Sequence, residues 1–375
     1  MTTFTIFFCG TGSTKYDHLH KNYWNGELVA TLANNIDGHE FAEWIVIDGP
    51  GSGNMQADEL FTEPKAFGWT GPAFGKGWHE NVQHAVNIIQ GKFDWQRTKL
   101  SEADYQRLKR ADVPIPDAQA HGSWFWRQYD YGNRISPQEL QQQLIKNLRK
   151  GGLIPKQINL VGWSRGGVSC HMLANALLAN PATRHIPVNI FAVDPVPGPF
   201  NYQLEKVSLG SNVKEYVAFY ARDERSKGFS CIIPKTAPKT KVSIYPMAGR
   251  HATLVGNASL SGASGPGDLT EPGKLVRHYA EVCLTRWGTK LQRKLNLSTI
   301  DIGKLHQSIV MHEAKFIKMR SHSYTVLVED HKKERYVSYA DKGTGFSMVA
   351  GTPFKPAEGL AANLAKGASA YKDIS

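Results

Sequence analysis

INLVGWSRGGVSCHML, residues 158–173, passes from an apolar run through small residues and back into an apolar run. INLVG, apolar but for Asn159, reads as a strand covered on both faces, and GGVSCHMLANALLA (166–179) has the periodicity of an amphipathic helix. Ser164 stands between them, with Gly162 two residues before it and Gly166 two residues after it. A strand that turns so sharply into a helix strains the backbone of the turn residue and lifts its side chain above the sheet. Small residues on either side remove the resulting clash. The helix then aims its first amides at the serine, which favours negative charge there. The competing reading is a tight turn whose serine only caps the helix.

The same grammar recurs along the chain. FTIFF (4–8) runs into CGTGS, EWIVID (43–48) into GPGSGN, and VNIFAV (188–193) into DPVPGP. VKEYVAFYA (213–221) runs into RDERS, and VSIYPM (242–247) into AGRHA. Helical patterns such as HENVQHAVNIIQ (79–90) and PQELQQQLIKNLRK (137–150) lie between them. Apolar strands alternating with helices predict an α/β fold, a mainly parallel sheet with helices on both faces. Ligands gather beyond the carboxyl ends of such strands, where every one of these polar clusters falls.

Two regions depart from that grammar. Residues 92–135 mix short helical periods with Trp95, Trp124, Trp126, Tyr129 and Tyr131, and read either as an insertion or lid over the sheet or as an aromatic satellite core. Residues 257–273 form a Gly/Ser/Pro loop. Beyond a main domain spanning 1–284, residues 285–375 read as a C-terminal appendage in which basic residues outnumber acidic ones. Helical stretches there are followed by YTVLVEDHKKERYVSYA (324–340), two alternating arms around a charged turn, the pattern of a β-hairpin.

A serine hydroxyl needs a base to become a nucleophile, and the base needs an acid to orient it. In sheets with a strained serine turn the chain order is serine, acid, histidine. Downstream of Ser164, acids end strands at Asp194 (FAVDPV) and at Asp223 and Glu224 (ARDERS). The next strand ends in AGRHATLVG and presents His251, the candidate base. Asp194 and Asp223 are both candidates for the acid. The backbone N–H of Arg165 is one natural donor to an oxyanion. A second donor is expected from the loop GTGS (10–13), where Gly10 and Thr11 allow close approach. That loop has neither phosphate-binding form, G-x-x-x-x-G-K-[ST] or G-x-G-x-x-G.

The remaining features bound the function. With 375 residues, 41% of them hydrophobic, the chain can bury a large core. Lys and Arg number 44 against 33 Asp and Glu, a net charge of +11 that favours anionic partners, an anionic membrane surface among them. No nucleic-acid module organises these charges, so a nucleic-acid partner is not expected. Cys9, Cys170, Cys231 and Cys283 are widely spaced, and Cys9 and Cys170 lie in apolar runs as buried thiols. The histidine pairs in HLHKN (18–22) and HENVQH (79–84) lack the spacing of a metal site, and no metal or cofactor is expected. MTTFTIFFCGTG has no Sec signal, and no apolar run is long enough to span a membrane. These features predict a soluble protein, cytoplasmic as made, with any export by a route that needs no cleaved signal.

Taken in order, FFCGTGS, IDGPGSGN, FGKGWHENVQHAVNII, INLVGWSRGG, IFAVDPV, YARDERSKGF and AGRHATLVG resemble the landmarks of one α/β-hydrolase family. It contains the type VI secretion lipase effectors, with their GxSRGG-type elbow, and many uncharacterised bacterial and fungal proteins. The resemblance covers roughly residues 4–257. It implies an α/β-hydrolase-like fold and a serine hydrolase, with bacterial members that are phospholipases delivered into other cells. By position, Ser164 matches the family nucleophile, His251 the histidine and Asp194 the strand-end acid, while Asp223 and Arg225 fall in a landmark of structural role. The chain departs from the pattern at Cys9, where the family carries an aspartate, at DPVPGP in place of DTV, and at ATLVGN after the histidine. The resemblance implies a lipid ester substrate, delivery by a specialised secretion system and an immunity or inhibitor protein as partner. Two alternatives stand beside it: hydrolysis of a non-lipid ester, acyl-protein or peptide, and a catalytically degenerate hydrolase fold that only binds.

Overall fold

A computed structural model of the chain describes residues 3–50, 78–91, 154–198, 201–324, 335–339, 342–345 and 367–375, with short pieces at 100–101, 119–121, 128–130 and 147–148. The strands in chain order are β1 (Thr3–Phe8), β2 (Trp44–Ile47), β3 (Leu100–Ser101), β4 (Gln119–His121), β5 (Gln128–Asp130), β6 (Gln157–Trp163), β7 (Val188–Val193), β8 (Val213–Ala221), β9 (Cys231–Ile233), β10 (Lys241–Met247), β11 (Tyr336–Tyr339) and β12 (Lys342–Gly345). Six of them form one sheet in the order β10-β8-β7-β6-β1-β2. Every neighbouring pair in it is parallel. This is the mainly parallel α/β sheet that the apolar strands predict, and it is consistent with the hydrolase-like architecture that the resemblance implies.

Alternate residues of each strand supply two cores, one on each face, as the pleat requires. Ile190, Ala192, Tyr216, Ala218 and Tyr220 point to the face covered by the helices Trp78–Gln90 and Arg165–Ala179. Phe191, Val193, Val217, Phe219 and Ala221 point to the other face, where the helices Leu28–Asn34 and Glu271–Arg286 pack. Both faces are therefore dry, which is why β7 is buried at every residue and why β6 and β8 are buried almost throughout.

Residues 285–375, which composition sets apart, contribute to these cores. Trp287, Ile302, Ile309, Phe316, Met319, Tyr371 and Ile374 are buried in the second of them. Tyr371 stacks on Tyr279 at 4.1 Å and lies 6.2 Å from Phe219, seating the chain's last residues against the central sheet. The helical stretches expected before the charged turn include the helices Thr299–Met311 and Glu313–Met319. β11 pairs antiparallel with β12 and parallel with β9. Residues 325–334, which hold the first arm and the charged turn of the expected hairpin, lie outside the described residues. Of the aromatic insertion 92–135, the described pieces β3, β4 and β5 make a small antiparallel sheet in the order β3-β5-β4. Trp95, Trp124, Trp126 and Tyr131 lie outside the described residues.

All four cysteines are buried and unpaired. Among the described residues no helix is long and apolar enough to cross a membrane, and no cluster of three His, Cys, Asp or Glu side chains is placed to hold a metal ion.

Candidate active site

Ser164 occupies the turn between β6 and the helix Arg165–Ala179 with φ 59° and ψ −125°. An L-residue reaches this region only when its surroundings impose it. Its side chain makes no capping hydrogen bond to the helix, so the helix-cap reading does not hold. The flanking glycines are required by distance. A Cβ on Gly162 would lie 2.3 Å from the carbonyl oxygen of Gly166, and one on Gly166 would lie 2.1 Å from that of Phe8. Ser164 N donates to Val193 O at 3.0 Å, and Val196 N donates to Ser164 O at 3.2 Å, so the strained residue is held from the neighbouring strand end.

Asp194 follows β7 as Ser164 follows β6. Its φ is 43°, and its N–H donates to Phe219 O at 2.8 Å. The carboxylate is fully buried. Oδ1 accepts from Ala221 N at 3.0 Å, and Oδ2 meets His251 Nδ1 at 2.5 Å. Burial alone pushes this carboxyl up, but the guanidinium of Arg335 and the His251 hydrogen bond outweigh it and hold Asp194 down to about 2. An ionised carboxylate only accepts hydrogen bonds, so in the neutral imidazole Nδ1 carries the proton and Nε2 keeps its lone pair.

His251 opens the short 3-10 helix His251–Val255 after β10. Its ring lies 5.1 Å from that of Trp163, the residue before the serine, and 5.1 Å edge-on from that of Phe229. Its backbone N–H donates to Glu224 Oε2 at 3.3 Å. Nε2 is buried and has no hydrogen-bond partner among the described residues, Ser164 Oγ included. The imidazole is thus oriented from one side only. In sites of this kind the serine contact commonly tightens once substrate is bound.

Asp223, the other candidate acid, is occupied elsewhere. Its oxygens accept from Gly249 N at 2.9 Å, from Arg320 Nε at 2.7 Å and from the Arg222 guanidinium at 3.1 Å. It ties the start of the histidine loop to the C-terminal helices, and His251 has no bond to it. Arg225 donates to the carbonyls of Arg222 and Glu224 at 3.0 and 2.7 Å, holding the same turn.

The loop after β1 meets the two residues that flank the serine. Thr11 Oγ1 accepts from Arg165 Nη1 at 2.8 Å. Gly10 packs so closely on Trp163 that a Cβ there would lie 2.4 Å from the indole. Burial lowers the Arg165 guanidinium to about 10. Of the residues expected to supply oxyanion donors, Thr11 and Arg165 are therefore in direct contact, and Gly10 packs on Trp163, the residue before the serine.

Arg335 is the participant that sequence reading misses. Its Nη1 donates to Asp194 Oδ1 and to Ala221 O, and its Nη2 donates to Asp194 Oδ2 at 3.0 Å and to Phe229 O at 2.8 Å. It lies in the run HKKER, which reads as a solvated turn, and no local pattern marks one of those charges as buried.

No protein-family model matches the chain, and no curated protein matches it either. Among solved structures it is similar to an uncharacterized protein from Pseudomonas aeruginosa, at 14% identity and TM-score 0.47, over 84% of this chain and 52% of that one. It is also similar to the Tle1 effector bound to the VgrG spike of the Type 6 secretion system, at 13% identity and TM-score 0.34, over 68% of this chain and 50% of that one. The chain spans about half the length of these two structures. At these values neither likeness carries an activity across.

Proposed function

We propose that this chain is a serine hydrolase that cleaves an ester bond with Ser164, His251 and Asp194. One observation carries the reading: a histidine whose Nδ1 is bound by a buried, ionised aspartate, at the same carboxyl end of the parallel sheet as a serine held in a strained turn. Ser164 Oγ attacks the ester carbonyl while His251 Nε2 takes its proton. Asp194 holds the tautomer and stabilises the imidazolium that forms. The carbonyl oxygen becomes an oxyanion, stabilised by the backbone N–H of Arg165 and by an amide of the Gly10–Thr11 loop. Collapse breaks the bond to the alcohol, which leaves with the proton from His251. Water then repeats the sequence on the acyl-enzyme and releases the acid.

The substrate class we propose is a phospholipid or related lipid ester, acted on by a protein delivered through a secretion system. The order of landmarks from FFCGTGS to AGRHATLVG supports that class, as does a net charge of +11 suited to anionic surfaces. The test pairs a fluorophosphonate probe with a panel of phospholipids and short nitrophenyl esters, using the parent chain and Ser164→Ala. Lipid turnover that vanishes in the variant is the expected result. Probe labelling with turnover of short esters alone moves the substrate to a non-lipid ester. No labelling at Ser164 leaves a fold that binds without hydrolysing.

A further inference from the structure

Arg335 is only 3% exposed, and its two terminal nitrogens meet four acceptors: both oxygens of Asp194 and the carbonyls of Ala221 and Phe229. An arginine fork has a fixed plane, so four contacts of this kind set the plane of the carboxylate it grips. Asp194 Oδ1 then faces Arg335 and Ala221 N, and Oδ2 faces Arg335 and His251 Nδ1. No oxygen of Asp194 is left to water. Without the arginine, the buried charge would keep one backbone amide and one imidazole, too little to offset the loss of solvent. The other acid near the histidine, Glu224, meets its backbone N–H and the guanidinium of Arg250, leaving the ring to Asp194.

The arginine is delivered from far along the chain. Arg335 immediately precedes β11, whose Val337 pairs with Cys231 of β9. β9 itself follows the Asp223–Phe229 turn, and Phe229 touches both the arginine and the histidine. One short parallel pairing therefore places a cation from the C-terminal segment behind the acid of the proposed triad.

We propose that Arg335 is a positioning residue for the Ser164–His251–Asp194 site: by gripping both oxygens of Asp194 it fixes the hydrogen bond that orients His251, and so makes docking of β11 a condition of activity. The proposal rests on the hydrolase reading above for its consequence, though the hydrogen bond itself is measurable without any substrate. A lysine cannot replace the fork, because a point charge keeps the ion pair and loses the plane.

The test uses the full chain with Arg335→Lys and Arg335→Met. Three quantities are read: thermal melting, the rate of fluorophosphonate labelling at Ser164, and the downfield proton resonance of His251 Nδ1–H. We expect Arg335→Lys to melt close to the parent, to label about 10- to 100-fold more slowly, the scale on which groups that orient a reactive residue act, and to shift or lose the downfield resonance. Arg335→Met should do the same with a lower melting temperature; if it fails to fold, the lysine variant decides. A folded variant with the parent's downfield resonance and labelling rate would overturn the proposal, whatever its melting temperature, because a purely structural role moves only the melt. If the parent itself is not labelled at Ser164, the hydrolase reading fails. The resonance then still decides between positioning, if it moves, and no effect, if it does not.

Discussion

Ser164 and Asp194 leave the sheet side by side. Trp163 pairs with Val193 in the β6–β7 ladder, and the next residue on each strand turns into positive φ, 59° for the serine and 43° for the aspartate. Two adjacent strained L-residues cost on the order of 1–3 kcal/mol each. They persist here because both are tied from the neighbouring strand, Ser164 to Val193 O and Asp194 to Phe219 O. The imidazole of His251 is then held against the aspartate from beyond β10.

The two candidate acids predict opposite outcomes on substitution. Asp194→Asn offers His251 an amide in place of a carboxylate and selects the wrong tautomer, so kcat should fall by about 10⁴-fold. Asp223→Asn breaks contacts with Gly249, Arg222 and Arg320. It should lower the melting temperature while leaving the labelling rate of the folded fraction within a few-fold of the parent. Labelling kinetics and melting curves on the two variants distinguish these outcomes.

The elbow should tolerate no side chain at Gly166. An alanine Cβ would lie 2.1 Å from Phe8 O and 2.6 Å from Cys9 O, both backbone atoms of the central sheet. Gly166→Ala should destabilise the fold by about 1–3 kcal/mol or more and displace Ser164. Chemical denaturation should report the first effect and probe labelling the second.

The tail should matter for stability and not for chemistry. Tyr371→Ala removes a ring packed on Tyr279, Tyr245 and Phe219. The expected loss is about 3–5 kcal/mol, as for other large buried rings, with an unchanged labelling rate at temperatures where the protein stays folded.

Glu27 sets a pH dependence of its own. It is fully buried, and burial raises its carboxyl to about 7 although the amides of Val29 and Ala30 partly oppose the shift. Between the unfolded value of about 4.3 and 7 the folded state binds more protons than the unfolded one. Stability from this group is therefore complete below that unfolded value and declines as pH rises toward 7. Asp194, held near 2, has the opposite sign: its contribution is present above about 4 and lost as pH falls through 2. In Glu27→Gln the decline between roughly pH 4.3 and 7 should flatten, as read from urea midpoints across that range.

Much of this architecture is legible in the sequence because its signals are local. VKEYVAFYA and VNIFAV read as buried parallel strands because apolar residues dominate both despite Lys214, Glu215 and Asn189, and they are β8 and β7 at those same bounds. The serine turn is legible because the clash at Gly162 and Gly166 admits only glycine. Asp194 and His251 are visible as strand-end residues, but their pairing is not. Asp194 and Asp223 end neighbouring strands alike, and which one reaches the ring depends on where Arg222, Arg320 and Arg335 go. Arg335 is illegible for the same reason: its partner lies 141 residues away, and its own neighbours are charged. The burial of Tyr371 and Ile374 is hidden in a tail of small and polar residues, GASAYKDIS, with no period to announce a contact.

The central claim is that Ser164 is a nucleophile activated by His251. Its most direct measurement is covalent labelling of the parent chain by a fluorophosphonate, with the modified residue located by peptide mass spectrometry. The account predicts one adduct, on Ser164, lost in Ser164→Ala and slowed by orders of magnitude in His251→Ala. A folded parent chain that takes no label at residue 164, or a His251→Ala variant that labels at the parent's rate, would contradict it.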